Sequence, residues 1–188
     1  MKIKYSWFLF LLIAAMPAVA QSKKEVKKYK IKSATVSITD MTDGKEKNYN
    51  ESFKRFDASG NELESIEYTK DGAFKKKVIC KYNKNDDVIE ELIYNEKGNL
   101  KKKIVTEYNI NKNKTLETVY DDANQVMEKT QYGYNSFDEK TFELTTDKKG
   151  ELVKKSIYVY DKNSMKIEKR TTDGKGNLLS VKKYQYEY

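Results

Sequence analysis

Apolar and polar residues alternate along this chain in short runs, and turn-forming residues cut the runs at fixed intervals. Segments such as Val88–Tyr94, Leu100–Tyr108, Lys114–Tyr120, Val126–Tyr134 and Leu152–Tyr160 are seven or nine residues long, rich in Val, Ile, Thr and Tyr, and free of proline. They are too short and too β-branched for helices, so they predict strands. The strand ends carry a ladder of aromatics: Phe56, Tyr68, Tyr82, Tyr94, Tyr108, Tyr120, Tyr134, Tyr160 and Tyr186, with Thr146 and Thr172 in the two places where a ring is missing. Spacings of 12 and 14 alternate, so the true period is 26 residues. A fixed period of this kind marks stacked supersecondary units.

Five turn-like residues follow each ladder position, as in Asp57–Asn61, Asn95–Asn99, Asp147–Glu151 and Asp173–Asn177. The first is usually Asp or Asn. The fourth is Gly60, Gly72, Gly98, Gly150 or Gly176, with Asp86, Asn124 and Asp138 in other copies. Residues that tolerate positive φ at that place predict a type I turn closed by a G1 bulge. Loops this short make neighbouring strands antiparallel. The expected fold is therefore all-β: a long antiparallel meander of about twelve strands, built from 26-residue double-hairpin repeats. At roughly 4.8 Å per strand the sheet would be about 50–55 Å wide. Such a sheet is expected to curl or to be partly single-layered.

Simple alternation outward from the turns gives a register. With Asn95 opposite Asn99, Tyr94 faces Leu100 and Glu91 faces Lys103; the same rule pairs Glu117 with Lys129 and Glu143 with Lys155. It also places the whole aromatic ladder on one face, the more apolar of the two.

The N-terminus changes the picture from domain to exported domain. Met1-Lys2-Ile3-Lys4, the apolar run Trp7 to Ala15 and Ala18-Val19-Ala20 read as a signal peptide over residues 1–20, cut before Gln21. Residues 21–32 then form an N-terminal extension that guards the first sheet edge, and residues 33–188 the β-hairpin repeat domain. The formal net charge of +8 comes from 37 basic and 29 acidic residues, interspersed rather than segregated. That pattern describes a solvated surface, and export disfavours nucleic acid as a partner.

Candidate chemistry is sparse. There is no histidine and a single cysteine, Cys80, so no intramolecular disulfide forms and the commonest general base is missing. Cys80 falls on the apolar face and reads as a structural thiol. Glu90 and Glu91 are adjacent on a strand and point to opposite faces, which rules them out as a paired-carboxylate site. Asp121, Asp122 and Asn124 are the best oxygen cluster for calcium, but no EF-hand or nonapeptide calcium repeat surrounds them. No catalytic, cofactor-binding or metal-ligating residue is assigned. The candidate ligand or partner surface is a second aromatic column, Tyr132, Tyr158 and Tyr184, one pleat inward from Tyr134, Tyr160 and Tyr186.

The units "YNEKGNLKKKIVTEY" and "VYDDANQVMEKTQYGY" resemble YD (RHS-type) repeats, in which Tyr-Asp or Tyr-Asn and a glycine-containing turn open each hairpin. The chain is also similar to small exported repeat proteins of Gram-negative bacteria. The resemblance implies a β-hairpin scaffold with no catalytic residue. The expected function is thus an exported, non-catalytic binding or scaffold protein of the periplasm or cell surface. Its partner would be an envelope protein or glycan. An outer-membrane β-barrel is the alternative, favoured by an even strand number and Tyr184-Gln-Tyr186-Glu-Tyr188; an enzyme is third.

Overall fold

A computed structural model of the chain describes residues 22–41 and 46–187. The expected signal peptide over residues 1–20 and its expected cleavage site lie outside the described residues. A short helix, α1 (Lys23–Tyr29), precedes twelve strands: β1 (Ser33–Asp40), β2 (Lys47–Phe56), β3 (Glu62–Tyr68), β4 (Phe74–Tyr82), β5 (Val88–Tyr94), β6 (Leu100–Tyr108), β7 (Lys114–Tyr120), β8 (Val126–Tyr134), β9 (Lys140–Asp147), β10 (Leu152–Tyr160), β11 (Lys166–Asp173) and β12 (Leu178–Lys183). All twelve join in one antiparallel sheet in sequence order.

The sheet is open. β1 pairs only with β2, and β12 only with β11. The closed barrel expected as the alternative is therefore not the observed architecture, because its first and last strands would have to pair. Among the described residues only Val26 and Tyr158 are buried apolar side chains. A sheet with so little interior is a single layer. Its cohesion comes from the backbone ladder, the loops and the cross-strand side-chain pairs.

The loops follow the chemistry read from the sequence. In Asn95–Asn99, the Asn95 amide donates to the Asn99 carbonyl at 2.9 Å and the Gly98 amide to the Asn95 carbonyl at 2.9 Å. The Asn95 side-chain oxygen accepts from the amides of Lys97 and Asn99 at 3.0 and 3.1 Å. The fourth loop position is left-handed throughout, including Lys112 (φ 63°) and Ser164 (φ 62°), which are neither Gly, Asn nor Asp. At those two the flanking ladder overrides residue preference.

The register departs from simple alternation. Tyr94 does face Leu100, but Ile93 then faces Lys102, so Lys101 is an extra residue. The same irregularity recurs two residues into every strand from β3 to β12. A second bulge thus follows the G1 bulge of each loop. As a result Glu91 faces Ile104, Glu117 faces Thr130 and Glu143 faces Ser156, not the lysines expected.

Each extra residue also inverts the in/out order of the strand beyond it. The ladder therefore splits between the faces. Phe56, Tyr82, Tyr108, Tyr134, Tyr160 and Tyr186 share one face, which we term the inner face. Tyr68, Tyr94 and Tyr120 lie on the other, the outer face, with Thr146 and Thr172. This explains why 26, not 13, is the structural period.

α1 was not foreseen in the extension 21–32. Ser22 caps it, accepting from the Glu25 amide, while the Glu25 carboxylate accepts from the Ser22 amide at 2.8 Å. That reciprocal pair is a capping box, and Ser22-x-x-Glu25 is its sequence signature. The helix docks on the loops after β2 and β4 rather than along the β1 edge. Lys23 Nζ lies 3.1 Å from Asp86 Oδ2, and Asn61, itself buried, donates to Asp57 and Asp86 at 2.9 Å each. Gly60 is left-handed (φ 82°), and a Cβ there would sit 2.6 Å from the Lys23 carbonyl oxygen.

Candidate functional site: the tyrosine–lysine stack of the inner face

The two aromatic columns of the inner face have different tasks. The ladder tyrosines at the strand ends reach back to the neighbouring strand. Tyr82, Tyr108, Tyr160 and Tyr186 donate their hydroxyls to the carbonyls of Glu62, Val88, Lys140 and Lys166 at 2.8–3.1 Å. Each bond ties a strand end, or for Tyr186 the segment after β12, to the first residue of the strand before it.

The candidate residues Tyr132, Tyr158 and Tyr184 form the next column inward, and the structure brings them together through lysines. Lys140 Nζ lies 5.2 Å from the Tyr132 ring centroid and 5.0 Å from that of Tyr158. Lys166 Nζ lies 5.8 Å from Tyr158 and 4.6 Å from Tyr184. Lys169 Nζ adds a third ammonium 5.0 Å from Tyr158. Rings and cations alternate across β8 to the segment after β12. Each contact contributes about 0.5–1 kcal/mol where exposed and more where desolvated.

Glu143 holds the centre of this stack. It accepts from Lys140 at 2.5 Å and from Lys169 at 3.3 Å. Lys140 and Glu143 are three apart, which in a regular strand would put them on opposite faces. The bulge at Thr141 brings them to the same one. Burial pushes the Glu143 carboxyl up, but the hydrogen bonds from Lys140 and Tyr158 and the two lysine charges outweigh it and hold it below the usual range. The Tyr158 hydroxyl is pushed well above its ordinary value by burial, then by its bond to Glu143. Tyr132 is raised by burial and by Glu117 and Glu143.

Tyr158 is 8% exposed, so its ring is a packed element and not an open platform. Tyr132 and Tyr184, at the two ends, are half-buried. Sequence reasoning missed Lys140, Glu143, Lys166 and Lys169. A signal was present: Lys114, Lys140 and Lys166 recur at 26-residue intervals, with Glu117 and Glu143 three residues after the first two.

Other candidates are occupied by local interactions. Cys80 is half-buried, and burial followed by the charges of Glu91 and Glu62 raises its thiol to about 11. Its thiolate, the reactive form, is then scarce at neutral pH. In the loop 121–125 the Asp121 side chain accepts from the Gln125 amide at 2.8 Å, and Lys103 donates to the Asn124 side chain. No group of three or more Cys, Asp or Glu side chains among the described residues is arranged to hold a metal ion. No described helix is long and apolar enough to cross a membrane.

No family model matches the chain, and no curated protein sequence matches it. Solved structures align with the chain at low identity and with TM-scores below 0.5. A Bacteroides fragilis protein of unknown function aligns over 58% of this chain and 92% of its own, at 17% identity and a TM-score of 0.44. A porin-like protein from Bacteroides uniformis aligns over 76% of this chain and 56% of its own, at 11% identity and a TM-score of 0.41. The Tc holotoxin pore of Photorhabdus luminescens aligns over 79% of this chain but only 9% of its own, at 12% identity and a TM-score of 0.34.

Proposed function

We propose that this chain is an exported, non-catalytic β-repeat protein of the cell envelope, working as a binding or scaffold module for a protein or glycan. One observation carries the reading. Twelve strands form a single layer in which, among the described residues, Tyr158 is the only buried apolar side chain, so both faces of the sheet are open to a partner. Loops closed by their own Asx side chains make that surface stiff. The YD-type reading of the repeat belongs to the same proposal, supported by the Tyr-Asx pairs that open the loops after β4, β5, β6, β7, β8 and β10. Within it, Tyr132 and Tyr184 are the ligand-facing ends of the stack, and Tyr158 is their support.

The test is in three parts. Intact mass of exported material should begin at Gln21; a mass that retains residues 1–20 contradicts export by cleavage. Carbonate washing should release the protein from envelope fractions, whereas an integral barrel would resist it. Tyr132→Ser and Tyr184→Ser should weaken capture of an envelope partner while leaving the melt near that of the parent. Unchanged capture by folded variants removes this column from the function.

A further inference from the structure

The outer face has three rows of side chains, and they change character along the chain. The middle row is apolar at Ile79, Leu92 and Val105, polar at Thr118 and Gln131, and apolar again at Leu144 and Ile157. In the first half this row is flanked on both sides. Lys77 and Lys103 lie on the rings of Tyr94 and Tyr120, at 4.9 and 4.5 Å, and Lys81 pairs with Glu90 at 2.5 Å.

From β8 to β10 both flanks are lost, and an acid returns only at Glu168 in β11. The lysines at the next two 26-residue positions, Lys129 and Lys155, face Thr146 and Thr172 where the earlier copies have tyrosines. Neither has an ion-pair or ring partner among the described residues. On the other flank, the places of Lys81 and Glu107 are taken by Val159 and Gly133, and those of Glu64 and Glu90 by Phe142. The Phe142 ring lies across Gly133, where a Cβ would meet it at 2.0 Å. Ile157 and Val159 are left 42% and 43% exposed, and a groove of about 320 Å³ opens over Phe142, Leu144, Lys155 and Ile157. Val181 and Leu178 extend the apolar surface to the free edge of β12.

We propose that this outer face of β8–β12 docks on an anionic lipid surface. Charge complementarity selects the occupant. Lys129, Lys155 and Arg170 give the patch a positive balance, and its one facing acid, Glu168, is already bonded to Arg170 at 3.2 Å. A second copy of the same face would bring like charges together. The composition also separates lipid from protein. Protein interfaces concentrate aromatic rings and shed lysine at their centre, whereas here the tyrosines are lost and aliphatic residues sit among free lysines. Aliphatic side chains at the acyl boundary with lysines reaching the headgroups is the usual arrangement of a peripheral lipid contact. The inference concerns the face of the sheet opposite the tyrosine stack and is independent of the partner sought there.

Vesicle co-sedimentation of a chain beginning at Gln21, which contains the whole described sheet, tests this. The parent should bind vesicles of phosphatidylglycerol and phosphatidylcholine, and bind pure phosphatidylcholine at least about tenfold more weakly. Lys129→Glu with Lys155→Glu should cost more than about thirtyfold, the loss expected from merely neutralising two lysines near an anionic surface. Leu144→Thr with Ile157→Gln, the residues of the preceding repeat at those places, should weaken binding about tenfold with an unchanged melt. Lys84→Glu, in a loop outside the patch, should bind as the parent does. Equal binding to both vesicle types, or retained binding by either folded double variant, overturns the proposal. So does sedimentation with neither vesicle, which would leave an acidic protein as the occupant that fits.

Discussion

The two halves of this sheet have one backbone and two side-chain chemistries. On the inner face, the central positions of β4 to β7 are Val78, Ile93, Ile104 and Val119. The positions 26 or 52 residues later are Thr130, Thr145, Ser156 and Thr171. There the hydroxyls pair across strands: Thr130 with Thr145 at 3.1 Å, and Ser156 with Thr171 at 3.1 Å, both in the β8–β11 region. Thr145, Ser156 and Thr171 are buried, with Ser156 only 1% exposed. The same column exchanges apolar contact for hydrogen bonds without a change in strand length or bulge position. The comparison teaches that loops and bulges set this fold. The side chains between them need only match their cross-strand partners.

The largest expected effect falls on the second half. Tyr158→Ala should cost about 3 kcal/mol, as for a large buried ring removed without replacement, and more than Tyr132→Ala or Tyr184→Ala. Chemical denaturation of the three variants measures the order. An equal loss at all three would erase the distinction between the centre and the ends of the stack.

Gly60 and Gly98 set a loop that carries α1 against a loop that carries nothing. Both have positive φ, but no atom lies within 4 Å of a Cβ at Gly98. Gly98→Val should cost about 1–2 kcal/mol from backbone strain alone, and Gly98→Asn much less, since Asn124 already occupies that place in another copy. Gly60→Ala should cost more than Gly98→Ala and should release α1, seen as faster amide exchange at Val26.

The hydroxyl pairs allow a direct conversion between the halves. Thr171→Val alone strands the Ser156 hydroxyl and should cost about 1–2 kcal/mol. Thr130→Val with Thr145→Val replaces both partners with shapes the first half already uses, and should change stability by less than about 0.5 kcal/mol. If the single and the double changes cost the same, the pairing has no energetic role.

pH probes the stack by a smaller margin. Glu143 is held below its usual range, so its stabilisation is complete above the unfolded value of about 4.3 and is lost as pH falls through the lower folded value. Tyr158 is raised, so its contribution is complete below about 10 and is lost as pH rises through the higher folded value. Melts across pH should therefore show Glu143→Gln flattening the acid limb and Tyr158→Phe the alkaline one.

Much of this architecture was legible in the sequence, because turn chemistry is local. Asn95 to Asn99 specify their loop by themselves, and the ladder marks each strand end. The second bulge was not legible. Its residues include Leu63, Lys75, Thr115, Met127 and Val153, which share no chemistry, so the bulge is a property of paired backbones and not of a residue type. Missing it put all the tyrosines on one face and set Glu143 against Lys155. The candidate column Tyr132, Tyr158 and Tyr184 was found by its spacing. Its packing by Lys140, Lys166 and Lys169 was not, because those contacts cross strands through the bulge.

Register is thus the claim on which the two-faced ladder, the stack and the outer-face patch all depend. Cross-strand NOEs between backbone protons measure it directly. The structure predicts contacts that pair Glu117 with Thr130 and Glu143 with Ser156. Contacts pairing Glu117 with Lys129 and Glu143 with Lys155 would show an unbulged sheet and contradict the account.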